Sequence, residues 1–136
     1  MTHGTQMPAA TADYLARHPG GKRTALGGPA AAADPRATAI VGTDRYETAA
    51  KVAAAFFNGP SAIGISSGAD FPDALAGGPH IGRLGGPMLL TKTAELPPVV
   101  VAYLGAHRAS ISRSYVYGGT NAVTENVRTA ISDAIG

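Results

Sequence analysis

The chain contains no cysteine and no tryptophan. Without cysteine there is no disulfide framework, no thiolate zinc site and no cysteine nucleophile. That absence fits a cytosolic protein, or a surface protein of a bacterium without an oxidative folding compartment. Charge is scarce as well: 15% of residues are charged, and eleven Lys/Arg against nine Asp/Glu leave a net +2. This balance carries no nucleic-acid footprint, and no basic cluster is interleaved with aromatics. No window approaches the roughly 18 consecutive apolar residues of a membrane span. The segment from Met1 to Ala10 lacks the basic and apolar regions of a signal peptide. A protein working outside the cell would then be represented here by a fragment, or by a misplaced start.

What is present is an apolar, punctuated chain. Hydrophobic residues make up 45% of 136 positions, enough for one domain with a real core and too much for disorder. Low surface charge points to faces covered by a neighbouring module. Residues 1–10 read as a flexible tail. Short β-type runs then alternate with helical patterns, with Gly and Pro between them. Strands are expected at Thr24–Gly27, Ala37–Val41, Ala62–Ser66, Met88–Leu90 and Ser114–Tyr117. From Asp44 the pattern is helical, with Ala49, Val52, Ala53 and Phe56 on one face and Asp44 with Glu47 as a capping box. Further helices are expected over Asp70–Leu84, from Pro97-Pro98 to His107, and over Asn121–Ile135. Alternating strands and helices joined by Gly-rich turns predict an α/β fold: a three-layer sandwich with a mostly parallel sheet, Rossmann- or flavodoxin-like.

The chain also repeats itself. Tyr14-Leu15 with His18 recurs as Tyr103-Leu104 with His107, and Gly27-Gly28 recurs as Gly118-Gly119. Features that recur in order, with only a two-residue difference in spacing, divide the chain. Residues 11–36 read as the C-terminal part of a preceding repeat, and residues 37–136 as one complete copy.

Several ordered motifs carry a family likeness. Val41-Gly42-Thr43-Asp44-Arg45-Tyr46-Glu47-Thr48-Ala49 is followed by Ser67-Gly68-Ala69-Asp70-Phe71-Pro72-Asp73-Ala74-Leu75-Ala76. Gly86-Pro87-Met88-Leu89-Leu90-Thr91, Tyr103-Leu104, Val116-Tyr117-Gly118-Gly119 and Ala122-Val123 complete the set. In this order and spacing the chain resembles the cell wall-binding repeat type 2 family. The resemblance implies a non-enzymatic, Rossmann-like module that anchors bacterial surface proteins non-covalently to anionic secondary cell-wall polymers, outside the cell. It also implies tandem copies in a threefold arrangement. Little more than one copy is present here, so the implied partners are further copies, in trans as a homotrimer or in tandem in a longer chain.

The residues themselves give the candidate site. Ligands of open α/β sheets bind beyond the carboxyl ends of the strands. Ser66, Ser67 and Gly68 end one strand, and the N–H groups around Ser67-Gly68-Ala69 can form an anion nest. Thr91 and Lys92 end the next, with Lys92 a point charge for a polyanion. Gly118, Gly119 and Thr120 end a third. Arg45 at a helix start offers a fork to phosphate or carboxylate, competing with a structural role for the same motif. Asp70 and Asp73, flanking a helix N-terminus as N-cap and N3 respectively, belong to the ligand-binding set at this edge; with no third ligand at metal spacing they are not read as a metal or acid–base site. No G-x-G-x-x-G, Walker lysine or G-x-S-x-G is present, so no cofactor and no hydrolase nucleophile are expected. His18, His80 and His107 stand alone in the sequence. Two other function classes compete: a structural or oligomerisation module without polymer binding, and a small ligand-binding or hydrolytic α/β domain.

Overall fold

The computed structural model describes residues 2–136. Its elements in chain order are α1 (Ala9–Arg17), β1 (Thr24–Leu26), α2 (Gly28–Ala33), β2 (Thr38–Ile40), α3 (Arg45–Phe56) and β3 (Ala62–Ser67). They continue with α4 (Pro72–Arg83), β4 (Met88–Thr91), α5 (Pro98–His107), β5 (Arg113–Tyr117) and α6 (Glu125–Ile135). The fold is α/β, and every strand pairing is parallel.

The strands divide between two sheets rather than sharing one. β4, β3 and β5 form a three-stranded sheet in that order, and β1 pairs with β2 alone. β3 is the centre: all six of its residues are buried, as befits a strand covered on both faces. Ile63 and Ile65 face one way and Gly64 the other, because successive residues of a strand alternate. On the isoleucine side they join Leu89 of β4, Val100 and Leu104 of α5, and Val127 and Ile131 of α6 in one core cluster. Each of these fully buried side chains contributes about 1.5–3 kcal/mol of transfer free energy. On the other side a β-carbon on Gly64 would meet Ile81 of α4 and the ring of Tyr117. Helix α4 therefore lies against β3 through a missing side chain, and the three layers follow.

Several local expectations need correction. The apolar stripe of α3 is wider than the core it faces: Ala50 and Ala53 are buried, whereas Phe56 is 59% exposed. Small residues let α3 approach β4 closely; Ala49 and Val52 instead line an open cleft shared with Leu26, Val41, Met88 and Leu90. The last helix begins at Glu125, not Asn121. Ala122 and Val123 donate N–H bonds back to the Gly119 carbonyl, and Thr124 donates to the Thr93 carbonyl at 3.0 Å. That turn delivers Val123 into the core before the helix starts. Of the tail expected over residues 1–10, Met1 lies outside the described residues. Ala9 and Ala10 already belong to α1, and His3 and Gln6 exchange backbone bonds of 2.9 and 3.0 Å.

Candidate functional site

The turn before α3 and its first helical turn form one hydrogen-bonded knot. Asp44 caps the helix, accepting from the Glu47 N–H at 2.8 Å. Glu47 reaches back one residue further than a capping box requires, to the N–H and hydroxyl of Thr43 at 2.6 and 2.7 Å. These two bonds, with Lys51 beside it, hold the Glu47 carboxyl down from its ordinary 4.5 to about 2. The Thr48 hydroxyl donates to the Asp44 carbonyl and accepts from the Gly42 N–H. Arg45 then crosses to the β3–α4 loop, where its guanidinium donates to the Gly68 carbonyl.

That loop is the middle of the carboxyl edge, and it is tightly spent. Ser66, Ser67 and Thr91 are buried, at 0%, 3% and 0% exposure. The Ser67 hydroxyl accepts from the Ala69 N–H at 3.2 Å, and the Gly68 N–H donates to the Thr91 carbonyl at 2.8 Å. The Gly68 and Ala69 N–H groups of the expected anion nest are therefore bonded internally, because the loop must satisfy its own backbone where it is buried. The Thr91 hydroxyl lies 3.1 Å from the carbonyls of both Lys92 and Glu95. Ser66 Oγ is buried, and among the described residues it has no hydrogen-bond partner.

What the edge presents outward is a smaller set: Arg45, Asp70, Lys92, Gly119 and Thr120 are exposed, and Asp73 and Gly118 half-buried. Lys92 pairs with Glu95 at 2.8 Å, and that hydrogen bond raises its pKa. The N-cap of α4 is Phe71 rather than Asp70, and Asp73 follows Pro72 as the second helical residue. Here the proline takes the first helical position, which moves both acids one place from their expected roles. Asp73 is aimed across the sheet: its Oδ2 lies 2.5 Å from where a β-carbon on Gly118 would stand. Arg128 of α6, which the sequence did not single out, ties the same end of β5. Its guanidinium donates to the carbonyls of Gly118 at 2.8 Å and Val123 at 3.1 Å. Loops after β3, β4 and β5 thus converge on one edge, with Arg45 and α4 framing a hollow of about 310 Å³ lined by Phe71, Ala74 and Leu90.

His18, His80 and His107 are each engaged. His18 stacks on Tyr14 with ring centroids 4.2 Å apart at 26°, and His107 stacks on Tyr103 at 4.3 Å and 25°. In both, the ring nitrogen Nδ1 meets the tyrosine carbonyl, at 2.8 and 2.9 Å. His80 meets the Tyr117 hydroxyl at 2.7 Å. Among the described residues no three His, Asp or Glu side chains gather as a metal site, and no helix is long and apolar enough to cross a membrane.

Parallel strands under two helical layers, with framed loops at the carboxyl edge, define a three-layer α/β module. The Cell wall binding domain 2 (CWB2) family model matches residues 39–128, most of the chain, and the chain belongs to that family. Among solved structures it resembles Cwp8 from Clostridium difficile, with a TM-score of 0.77 and 18% identity over 98% of this chain and 24% of that one. It also resembles Cwp6 from the same organism, with a TM-score of 0.80 and 21% identity over 96% of this chain and 22% of that one. The likeness establishes the fold, and the chain spans about a quarter of the length of each. No curated protein matches it.

Proposed function

We propose that this chain is a non-catalytic module that holds a surface protein on an anionic polymer of a bacterial cell wall, outside the cell. The observation that carries the reading is the CWB2 match over residues 39–128. The carboxyl edge supports it: Arg45 and Lys92 reach solvent there. They are the groups that meet phosphate or carboxylate, together with the exposed backbone of Gly119 and Thr120. Ser66, Ser67, Gly68 and Thr91 shape the edge from within. Asp70 lines the same hollow as Arg45 and Asp73 stands against Gly118, so these acids set the limits of the anion's path along the edge. Within this reading residues 11–36 are the end of a preceding repeat, residues 37–136 are one complete repeat, and further copies, as a trimer or in tandem, are its protein partners.

The test is co-sedimentation with purified cell walls, before and after the walls are stripped of their secondary polymers. Retention on intact walls at low salt, falling as ionic strength rises, is the expected result. Equal retention on stripped walls, or none at any salt, rejects the reading. The alternative of a purely structural module is favoured by the exposed apolar residues Leu26, Val41, Phe71 and Leu75. It predicts self-association that ignores wall material.

A further inference from the structure

The pair β1–β2 and the strand β5 describe the same object at two stages of completion. β1 leads through Gly27, at φ +85°, into α2 and then into β2, which returns parallel beside it. β5 leads through Gly118, at φ +104°, into α6, and among the described residues no strand lies paired beside it on the side away from β3. Beside β1 the pairing is definite. Thr24, Ala25 and Leu26 face Thr38, Ala39 and Ile40. The Gly27 N–H donates to the Ile40 carbonyl at 2.9 Å, and the Thr38 N–H donates to the Arg23 carbonyl at 3.0 Å. On β5 only the edge towards β3 is paired. Among the described residues the Gly118 N–H has no acceptor. The helices repeat the contrast: α5 buries Val100, Tyr103 and Leu104, whereas α1 buries nothing, and Tyr14 is 55% exposed where Tyr103 is 7%.

We infer that the open edge of β5 is an acceptor for a strand of the Thr38–Ile40 type from the next copy of this repeat, so that neighbouring repeats share a sheet. A right-handed βα unit leaves its returning strand parallel and alongside, and an unpaired edge beside a twisted sheet is a ready template for one. Superposing the Gly27 turn on the Gly118 turn fixes the register. Tyr115, Val116 and Tyr117 take the places of Thr24, Ala25 and Leu26. The Gly118 N–H donates to the incoming isoleucine carbonyl, and the Ser114 carbonyl accepts from the incoming threonine N–H. β1–β2 is then the same junction seen from the other side, with the core under α1 supplied by the preceding copy. The inference rests on the repeat division proposed above and not on polymer attachment.

The experiment appends a second copy of residues 35–57 after Gly136 and follows hydrogen exchange of the Gly118 amide by NMR. The native extension is expected to slow that exchange about tenfold or more. An extension carrying Thr38→Pro, which lacks the donating N–H, restores the rate of the unextended chain. A peptide of residues 35–57 added to the unaltered chain gives the same protection, saturating with concentration. An unchanged Gly118 rate in both the native extension and the peptide titration overturns the inference, as does equal slowing by the native and proline extensions. No wall material enters either arm, so polymer binding can fail while strand acceptance stands, and the reverse.

Discussion

Gly68 lies beneath the ring of Tyr46, so that a β-carbon on Gly68 would stand 2.6 Å from Tyr46 Cε1. The preceding residue, Arg45, bonds the carbonyl of the same glycine. Two successive residues at the start of α3 thus clamp the β3–α4 loop, one by a hydrogen bond and one by close packing. The clamp explains why the adjacent pair Arg45-Tyr46 and the distant Gly68 belong to one feature.

Gly68→Ala is therefore expected to destabilise the fold by about 1–3 kcal/mol, the usual cost of overpacking. Gly105 in α5 has open space at its β-carbon position, so Gly105→Ala should stabilise by about 0.5–1 kcal/mol through helix propensity. Urea midpoints of the two variants check the contrast, and an unshifted midpoint for Gly68→Ala removes the clamp.

Leu104 is fully buried in the cluster formed with α6 and β3, whereas Phe56 is 59% exposed. Leu104→Ala should cost about 2–5 kcal/mol by transfer and cavity terms, and Phe56→Ala less than about 0.5 kcal/mol. Calorimetry that ranks the two alike would contradict the burial.

The Glu47 carboxyl is held at about 2 in the folded chain, first by the Thr43 N–H, then by the Thr43 hydroxyl and Lys51. A lowered folded-state value favours the native state above the ordinary 4.5, and the contribution is lost as pH falls towards about 2. The stability difference between the chain and Glu47→Gln should hence be constant at neutral pH and shrink across that acid window. Denaturation curves at stepped pH measure it; a difference that grows on acidification reverses the sign and the assignment.

All members of the main core cluster lie between Ala53 and Ile135. Removing residues 1–36 should leave a chain that still unfolds in one cooperative thermal step, with β2 losing its partner. Loss of the transition in circular dichroism would mean that the N-terminal segment is integral to the domain.

Lys92 is an exposed cation at the carboxyl edge, and among the described residues its ammonium pairs with Glu95. Lys92→Ala should leave stability within about 0.5 kcal/mol and weaken retention on cell walls about two- to fivefold. Undiminished retention moves the polymer away from this edge.

Much of the architecture was legible before any coordinates. The five strands fall within about a residue of their expected limits, since Gly and Pro punctuate them and their apolar runs are short. The family likeness rested on ordered motifs, and the CWB2 match covers the same stretch. The candidate site was legible by position and much less by role. Ser67, Gly68 and Thr91 stand at strand ends as expected, but their polar groups are turned on each other. Nothing in a one-dimensional spacing says that Ala69 N–H meets Ser67 Oγ, or that Arg45 gives one guanidinium nitrogen to the Gly68 carbonyl. Arg128 escaped notice because its partners, two backbone carbonyls, leave no mark in the sequence.

By itself the sequence determined the five strands, four of the six described helices (α1 and α2 were not expected), the parallel α/β class and the family, because periodicity, capping and turn chemistry act over a few residues. Only the tertiary structure decided which face of the alanine-rich α3 is buried, that β1 and β2 stand apart from the main sheet, and which edge groups reach solvent. Those outcomes depend on long-range packing. An alanine helix has no single apolar face, so the surface it meets chooses one for it.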